Sequence, residues 1–217
     1  MKLQYFGHSF WKLYNANASV VIDPYDDMGY PMPLNLSADY VLVSHAHHDH
    51  NNVSLVKGNP TLIDKAGKYA WGELSIELIP VWHDEVGGTK RGINHIIKID
   101  WEGRTFIHCG DLGHLPGLEI LTRIHKPDAL FVPIGEVYTL DLDKVHVFIA
   151  ALQPKLVFPM HYKTHAISFG LGELENFLNK YKNVLSISSN ILDLTPELFS
   201  AKRTIVMNWK PWTGEGK

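Results

Sequence analysis

The segment Asp39–Ser44 reads DYVLVS, a mostly apolar run that ends abruptly in His45-Ala46-His47-His48-Asp49-His50. Such a run is expected of a buried strand. The loop at its carboxyl end then carries four imidazoles and a carboxylate, at the strand end where layered α/β folds favour ligand sites. So many histidines on one short loop could not all be buried and satisfied by hydrogen bonds alone. His45, His47, Asp49 and His50 form H-x-H-x-D-H, whose nitrogen and oxygen donors suit zinc, and equally manganese or iron. The bland alternative is a solvated His-rich loop that takes up metal adventitiously.

Composition narrows the rest. A chain of 217 residues, 45% hydrophobic and 20% charged, is expected to form a single globular domain spanning 1–217. Its halves, about 1–115 and 116–217, would share one core and contribute one sheet each, with a break near Gly113–Gly117. The net charge of -3 is spread without a basic stripe, so no obligatory nucleic-acid partner is expected. No apolar run is long enough to span a bilayer, and the N-terminus reads as a strand rather than a signal peptide. Cys109, the single cysteine, excludes an internal disulfide framework and a thiolate-rich zinc site. The expected setting is the cytoplasm, and assembly into a homo-oligomer stays open. Thirteen histidines ask for a chemical explanation.

Strands are expected over Lys2–Phe6, Phe10–Tyr14, Ser19–Ile22, Leu74–Trp82, Asn94–Asp100 and Arg104–His108, the last two joined by a hairpin at Trp101-Glu102-Gly103. Gly117–Ile124, Asp141–Leu152 and Leu171–Tyr181 have helical spacing, and Ala129–Pro133, Lys155–Pro159, Val184–Ser188 and Thr204–Asn208 read as further strands. This order of elements implies mixed α/β layers. The tail after Trp212 is expected to fray.

Further potential ligands lie downstream: His83 in Val81-Trp82-His83-Asp84, Asp111 in Cys109-Gly110-Asp111, and His161 in Pro159-Met160-His161-Tyr162. With them the chain resembles the metallo-β-lactamase superfamily, from Leu3–Phe10 to at least Thr164. The Gly7-His8-Ser9 opening, Ile22-Asp23-Pro24, Gly87–Asn94, Pro133-Ile134-Gly135 and the MHYKT segment resemble its small single-domain hydrolases related to ascorbate-6-phosphate lactonase and N-acyl-phosphatidylethanolamine phospholipase D. The resemblance implies a four-layer αββα sandwich of two mixed sheets with helices outside and the site at one edge between them. It also implies two divalent metals, zinc first and manganese or iron as alternatives. His45, His47 and His83 would hold one ion and Asp49, His50 and His161 the other, with Asp111 bridging.

The implied activity is metal-dependent hydrolysis of an ester-type bond, a phosphoester or lactone, in a small anionic molecule or lipid headgroup. Two ions about 3.5–4 Å apart would share a hydroxide nucleophile, aimed by Asp49. Competing readings are a metal-binding regulatory protein with little turnover, a nuclease-type phosphodiesterase, and an iron oxidoreductase, the last weakened by a His at position 47. His8 is either a proton donor to the leaving group or a turn histidine bonded to backbone. Asp23 either braces a ligating imidazole or simply forms a turn. Arg91 and Lys90 either meet an anionic substrate group or belong to a mobile solvated loop, and Glu136 is a candidate for the pocket wall. His48 is expected to point away from the metals, His108 and Cys109 to be structural, and His114 to sit at the cleft rim or in a loop. His95, His125, His146 and His165 default to surface or packing roles.

Overall fold

In the computed structural model, which describes residues 1–209, the strands are β1 Lys2–Gly7, β2 Phe10–Tyr14, β3 Ser19–Ile22, β4 Tyr40–Leu42, β5 Thr61–Ile63, β6 Gly67–Trp71 and β7 Leu74–Trp82. They continue with β8 Ile93–Trp101, β9 Arg104–His108, β10 Ala129–Pro133, β11 Leu156–Met160, β12 Val184–Ile187, β13 Ile191–Asp193 and β14 Arg203–Met207. Helices α1 Leu118–Arg123, α2 Leu142–Leu152 and α3 Leu174–Leu178 all lie in the second half. The expectation for the tail after Trp212 falls outside the described residues.

Two mixed sheets form the sandwich. One has the order β13-β1-β2-β3-β4-β5, the other β12-β14-β11-β10-β9-β8-β7-β6. The sheets do not divide at Gly113–Gly117 as expected from the sequence. The chain crosses over after β5, and the antiparallel run β6–β9 joins the larger sheet because β9 pairs in parallel with β10. It crosses back for β13, which pairs with β1.

Residue type explains the layers. Leu3, Trp11, Leu13 and Ile22 of the smaller sheet face Ile76, Ile97, Phe131 and Phe158 of the larger one in a continuous apolar core. Every residue of β10 and β11 is buried, as expected of parallel strands covered on both faces. Helix α2 buries Val145, Phe148, Ile149 and Leu152, a stripe at i, i+3, i+4 and i+7. Its N-terminus is capped by Asp141, which accepts from the Lys144 amide at 2.9 Å, a contact worth about 1 kcal/mol. The hairpin at Glu102-Gly103 turns with φ of 49° and 70°, both left-handed as a type I′ turn requires.

Among the described residues, helices cover only the larger sheet. Over the smaller one, Phe6, Phe10, Val21 and Val41 are covered by Tyr25, Met28, Tyr30 and Leu36 of a long loop and by Ile167 and Leu171. That outer layer is irregular chain with one 3-10 turn, Val53–Leu55. Among the described residues no helix is long and apolar enough to cross a membrane.

Candidate metal centre

Strand ends deliver the chemistry. His8 follows β1, Asp23 follows β3, His45–His50 follow β4, His83 follows β7, Asp111 lies just past β9 and His161 follows β11. His8, Asp23 and His161 take left-handed backbone conformations with φ of 52°, 47° and 51°, each costing on the order of 1 kcal/mol or more for a residue with a side chain. Gly110 is left-handed too (φ 52°), and a Cβ there would lie 2.2 Å from Asn94 Oδ1. No other residue fits without moving Asn94, whose amide spans the Cys109 carbonyl and the Asp111 amide at 2.8 and 3.0 Å. Asn94 thereby aims Asp111.

Asp111 is the hub. Its carboxylate lies 3.2 Å from His83 Nε2, 3.3 Å from His161 Nε2, 3.2 Å from His50 Nε2 and 3.8 Å from His45 Nε2. Burial pushes its carboxyl up, but His161 and His50 outweigh that and hold it well below the usual range. Ligand atoms fall into three groups able to hold a cation: His45, His47 and His83; His8, Asp49, His50 and His161; and His45, His50 and Asp111 between them. His45 Nε2, His50 Nε2, His83 Nε2 and Asp111 Oδ1 are buried with no hydrogen-bond partner among the described residues, a costly arrangement for a chain alone. Two donors each 2.0–2.2 Å from a tetrahedral ion sit about 3.4 Å apart, and the separations around Asp111 bracket that value. The donor set therefore fits divalent metal.

Asp23 sets the tautomers from behind. Its carboxylate accepts from His50 Nδ1 at 2.8 Å and from the amide and hydroxyl of Ser44, both at 2.7 Å. With its proton given to Asp23, Ser44 Oγ is left to accept from His45 Nδ1 at 2.9 Å. Both imidazoles so present a bare Nε2 to the centre. Burial raises the Asp23 carboxyl, but the pairing with His50 prevails and keeps it below its ordinary value. Of the two sequence readings, the structure has the brace. His95, expected to have only a surface or packing role, supports the same loop, its Nδ1 donating to the Ser44 carbonyl at 2.8 Å.

His8 changes task. It is fully buried and absent from the cavity wall, and its Nε2 lies 3.2 Å from Asp49 Oδ2. Burial takes the ring's pKa down to about 4, while Asp49, despite its own burial, is held low by the bond from His8. The single proton of a neutral His8 is thus committed to Asp49, and the geometry suits orienting that carboxylate rather than protonating a leaving group. His8→Asn, which tolerates the left-handed backbone but cannot reach Asp49, should slow turnover about 10- to 100-fold. The loss should be equal across a series of leaving groups. A loss confined to poor leaving groups would restore the proton-donor role.

Other sequence candidates sort by position. His48 is exposed, stays outside the three groups and borders the cavity rim. His108 donates from Nε2 to the Ser9 carbonyl at 3.0 Å, a structural tie. His114 belongs to a loop, accepting from the Trp82 amide at 3.1 Å, and His146 packs on Phe177. Cys109 is buried in the outer core, and burial pushes its thiol up. Glu136 turns toward the start of α2, 3.4 Å from the Leu142 amide, and lines a neighbouring cleft instead of the metal cavity.

The cavity itself measures about 410 Å3, its wall formed by His47, Asp49, His83, Asp111 and His161 together with Arg91, Tyr138 and Phe169. Another of about 420 Å3, at the opposite end of β11, is lined by Lys155, Lys182 and Lys202 without a histidine or carboxylate. It lacks the groups for this chemistry.

Two mixed sheets with His and Asp gathered at one edge define the metallo-β-lactamase class. The sequence profile of the beta-lactamase superfamily domain matches residues 2–161, and the chain belongs to the metallo-β-lactamase superfamily. It is 31% identical to a UPF0173 metal-dependent hydrolase of Nanoarchaeum equitans, over 77% of this chain and 86% of the relative. One from Carboxydothermus hydrogenoformans is 27% identical over 81% of this chain and 91% of its own length. A crystal structure from Thermotoga maritima, classed with the Zn-dependent hydrolases of the superfamily, superposes with a TM-score of 0.79 at 32% identity, covering 95% of this chain and 97% of that one.

Proposed function

We propose that the protein is a two-metal hydrolase cleaving an ester-type bond, a phosphoester or a lactone, in a small molecule. The observation that carries this reading is the pair of donor groups flanking Asp111, with buried nitrogens left unpartnered and pointing inward. His45, His47 and His83 would hold one ion, and Asp49, His50 and His161 the other, with Asp111 shared. Zinc suits these donors best, with manganese or iron as alternatives. When bound, two such ions supply a water acidified to near pH 7 and a Lewis acid for the leaving oxygen.

The chain's own residues do the rest. Asp49, ionised and tethered at Oδ2 by His8, keeps Oδ1 to accept the proton of an attacking water and so aim it. Asp23 and Ser44 hold the imidazole rings in one tautomer, so no reorganisation is needed during the reaction.

Turnover of chromogenic phosphodiesters or lactones should vanish when metal is stripped by a chelator and return when zinc or manganese is restored. Full activity in protein verified to be metal-free would sink the proposal.

A further inference from the structure

Between His83 and β8 the chain makes a loop that the sequence presents as mobile and solvated. It is instead wound around one carboxylate. Asp84 Oδ1 accepts from the amides of Val86 and Gly88, both at 2.9 Å, and Oδ2 from those of Lys90 and Arg91, at 2.9 and 2.8 Å. Burial pushes the Asp84 carboxyl up, but these four bonds outweigh it and hold its pKa down to about 2. Gly92 closes the loop, its carbonyl accepting from the His83 amide at 3.1 Å. The loop is therefore fixed directly to a metal-candidate residue.

Lys90 points to solvent, but Arg91 is half-buried and lines the cavity. Its guanidinium carbon lies 5.3 Å from the centre of the Tyr138 ring, a cation–π arrangement that orients the plane while leaving its N–H edge unspent. Among the described residues its only bond to a carboxylate is through the backbone, to Asp84. It is also the only lysine or arginine on the cavity wall among the described residues. A fixed, aromatic-backed guanidinium beside the donor cluster, without a carboxylate partner, is built to take an anion in two parallel bonds.

We infer that Arg91 is a specificity-determining residue, selecting substrates with an anionic oxygen group, phosphate or carboxylate, next to the scissile bond, and that Asp84 is its positioning residue. This rests on the hydrolase reading and narrows its substrate class. The loop supplies binding of the anion, and the donor cluster the chemistry.

The test compares three esters with one leaving group: bis(para-nitrophenyl) phosphate, mono-para-nitrophenyl succinate and the neutral para-nitrophenyl acetate. Arg91→Met should lower kcat/KM about 10- to 100-fold on an anionic ester, mainly through KM. The acetate should change less than about threefold, and Arg91→Lys should recover part of the loss. Loss on the phosphodiester alone assigns the site to phosphate, and loss on the succinate alone to carboxylate. Equal loss on all three, or none on either anionic ester, would overturn the inference. Asp84→Asn should raise KM for the same anionic ester with metal content unchanged, and loss of metal would remove its positioning role. If no ester is turned over, the hydrolase reading fails separately. Calorimetry of inorganic phosphate with zinc-loaded protein then decides for Arg91: binding weakened tenfold or more in Arg91→Met supports the inference, and equal affinity refutes it.

Discussion

Asp49→Ala is expected to lower kcat on the order of a thousandfold or more, because in the proposed mechanism one carboxylate would both complete a donor group and aim the attacking water. Asp49 Oδ2 sits 3.2 Å from His8 Nε2 and 3.6 Å from His50 Nε2, so removing it also strips the His8 ring of its one hydrogen bond among the described residues. His48→Ala, one residue away, should leave kcat within about threefold, since that ring is exposed and outside every donor group. Steady-state kinetics of both variants, with metal content measured alongside, separates the two positions. Equal damage from His48→Ala would mean that the assignment of the loop is wrong by one residue.

The largest stability effect is expected at Asp23, well away from any substrate. This carboxylate is wholly buried and accepts three bonds from Ser44 and His50. Removing one partner of a buried, charged network costs about 3–5 kcal/mol, which for a chain of this size lowers Tm by about 6–20 °C. Asp23→Ala should also weaken metal binding about 10- to 100-fold, because the rings of His45 and His50 lose the acceptor chain that fixes their tautomers. Asp23→Asn controls for the backbone, since Asn tolerates the left-handed turn (φ 47°), and it should keep most of the affinity loss. Calorimetry and a competitive metal titration read the two effects. Wild-type values of both in Asp23→Ala would dismiss Asp23 as a simple turn residue.

The residues of the candidate donor groups were legible because they lie at, or in the loops just after, strand ends that the sequence marks by itself. An apolar run stopping at His45, Trp82 before His83, and Pro159-Met160 before His161 are local signals. The strands that escaped notice, β5, β6 and β13, are all sheet edges. An edge strand buries little, as the exposed pattern of β6 shows, so it carries no apolar alternation to read. The even division into half-chain sheets failed for a related reason: which sheet β6–β9 joins depends on the long-range pairing of β9 with β10, which no local pattern encodes.

The supporting shell was least visible. Asn94, Asp84 and His95 act by reaching the backbone of residues far away or several positions on. Their residue types are common in turns and strands, and only the folded chain shows what they hold. His8 could be singled out by its place in the Gly7-His8-Ser9 turn. Its direction could not, because that turn points inward only once β1 and β11 are in place, with the His161 amide bonded to the His8 carbonyl at 3.1 Å.

Metal stoichiometry tests the central claim most directly. Untagged protein purified without chelator, loaded with zinc and freed of excess, should contain two ions per chain by elemental analysis, with activity rising as the second ion is added. Fully active protein holding one tightly bound ion, or none, would contradict the two-metal account.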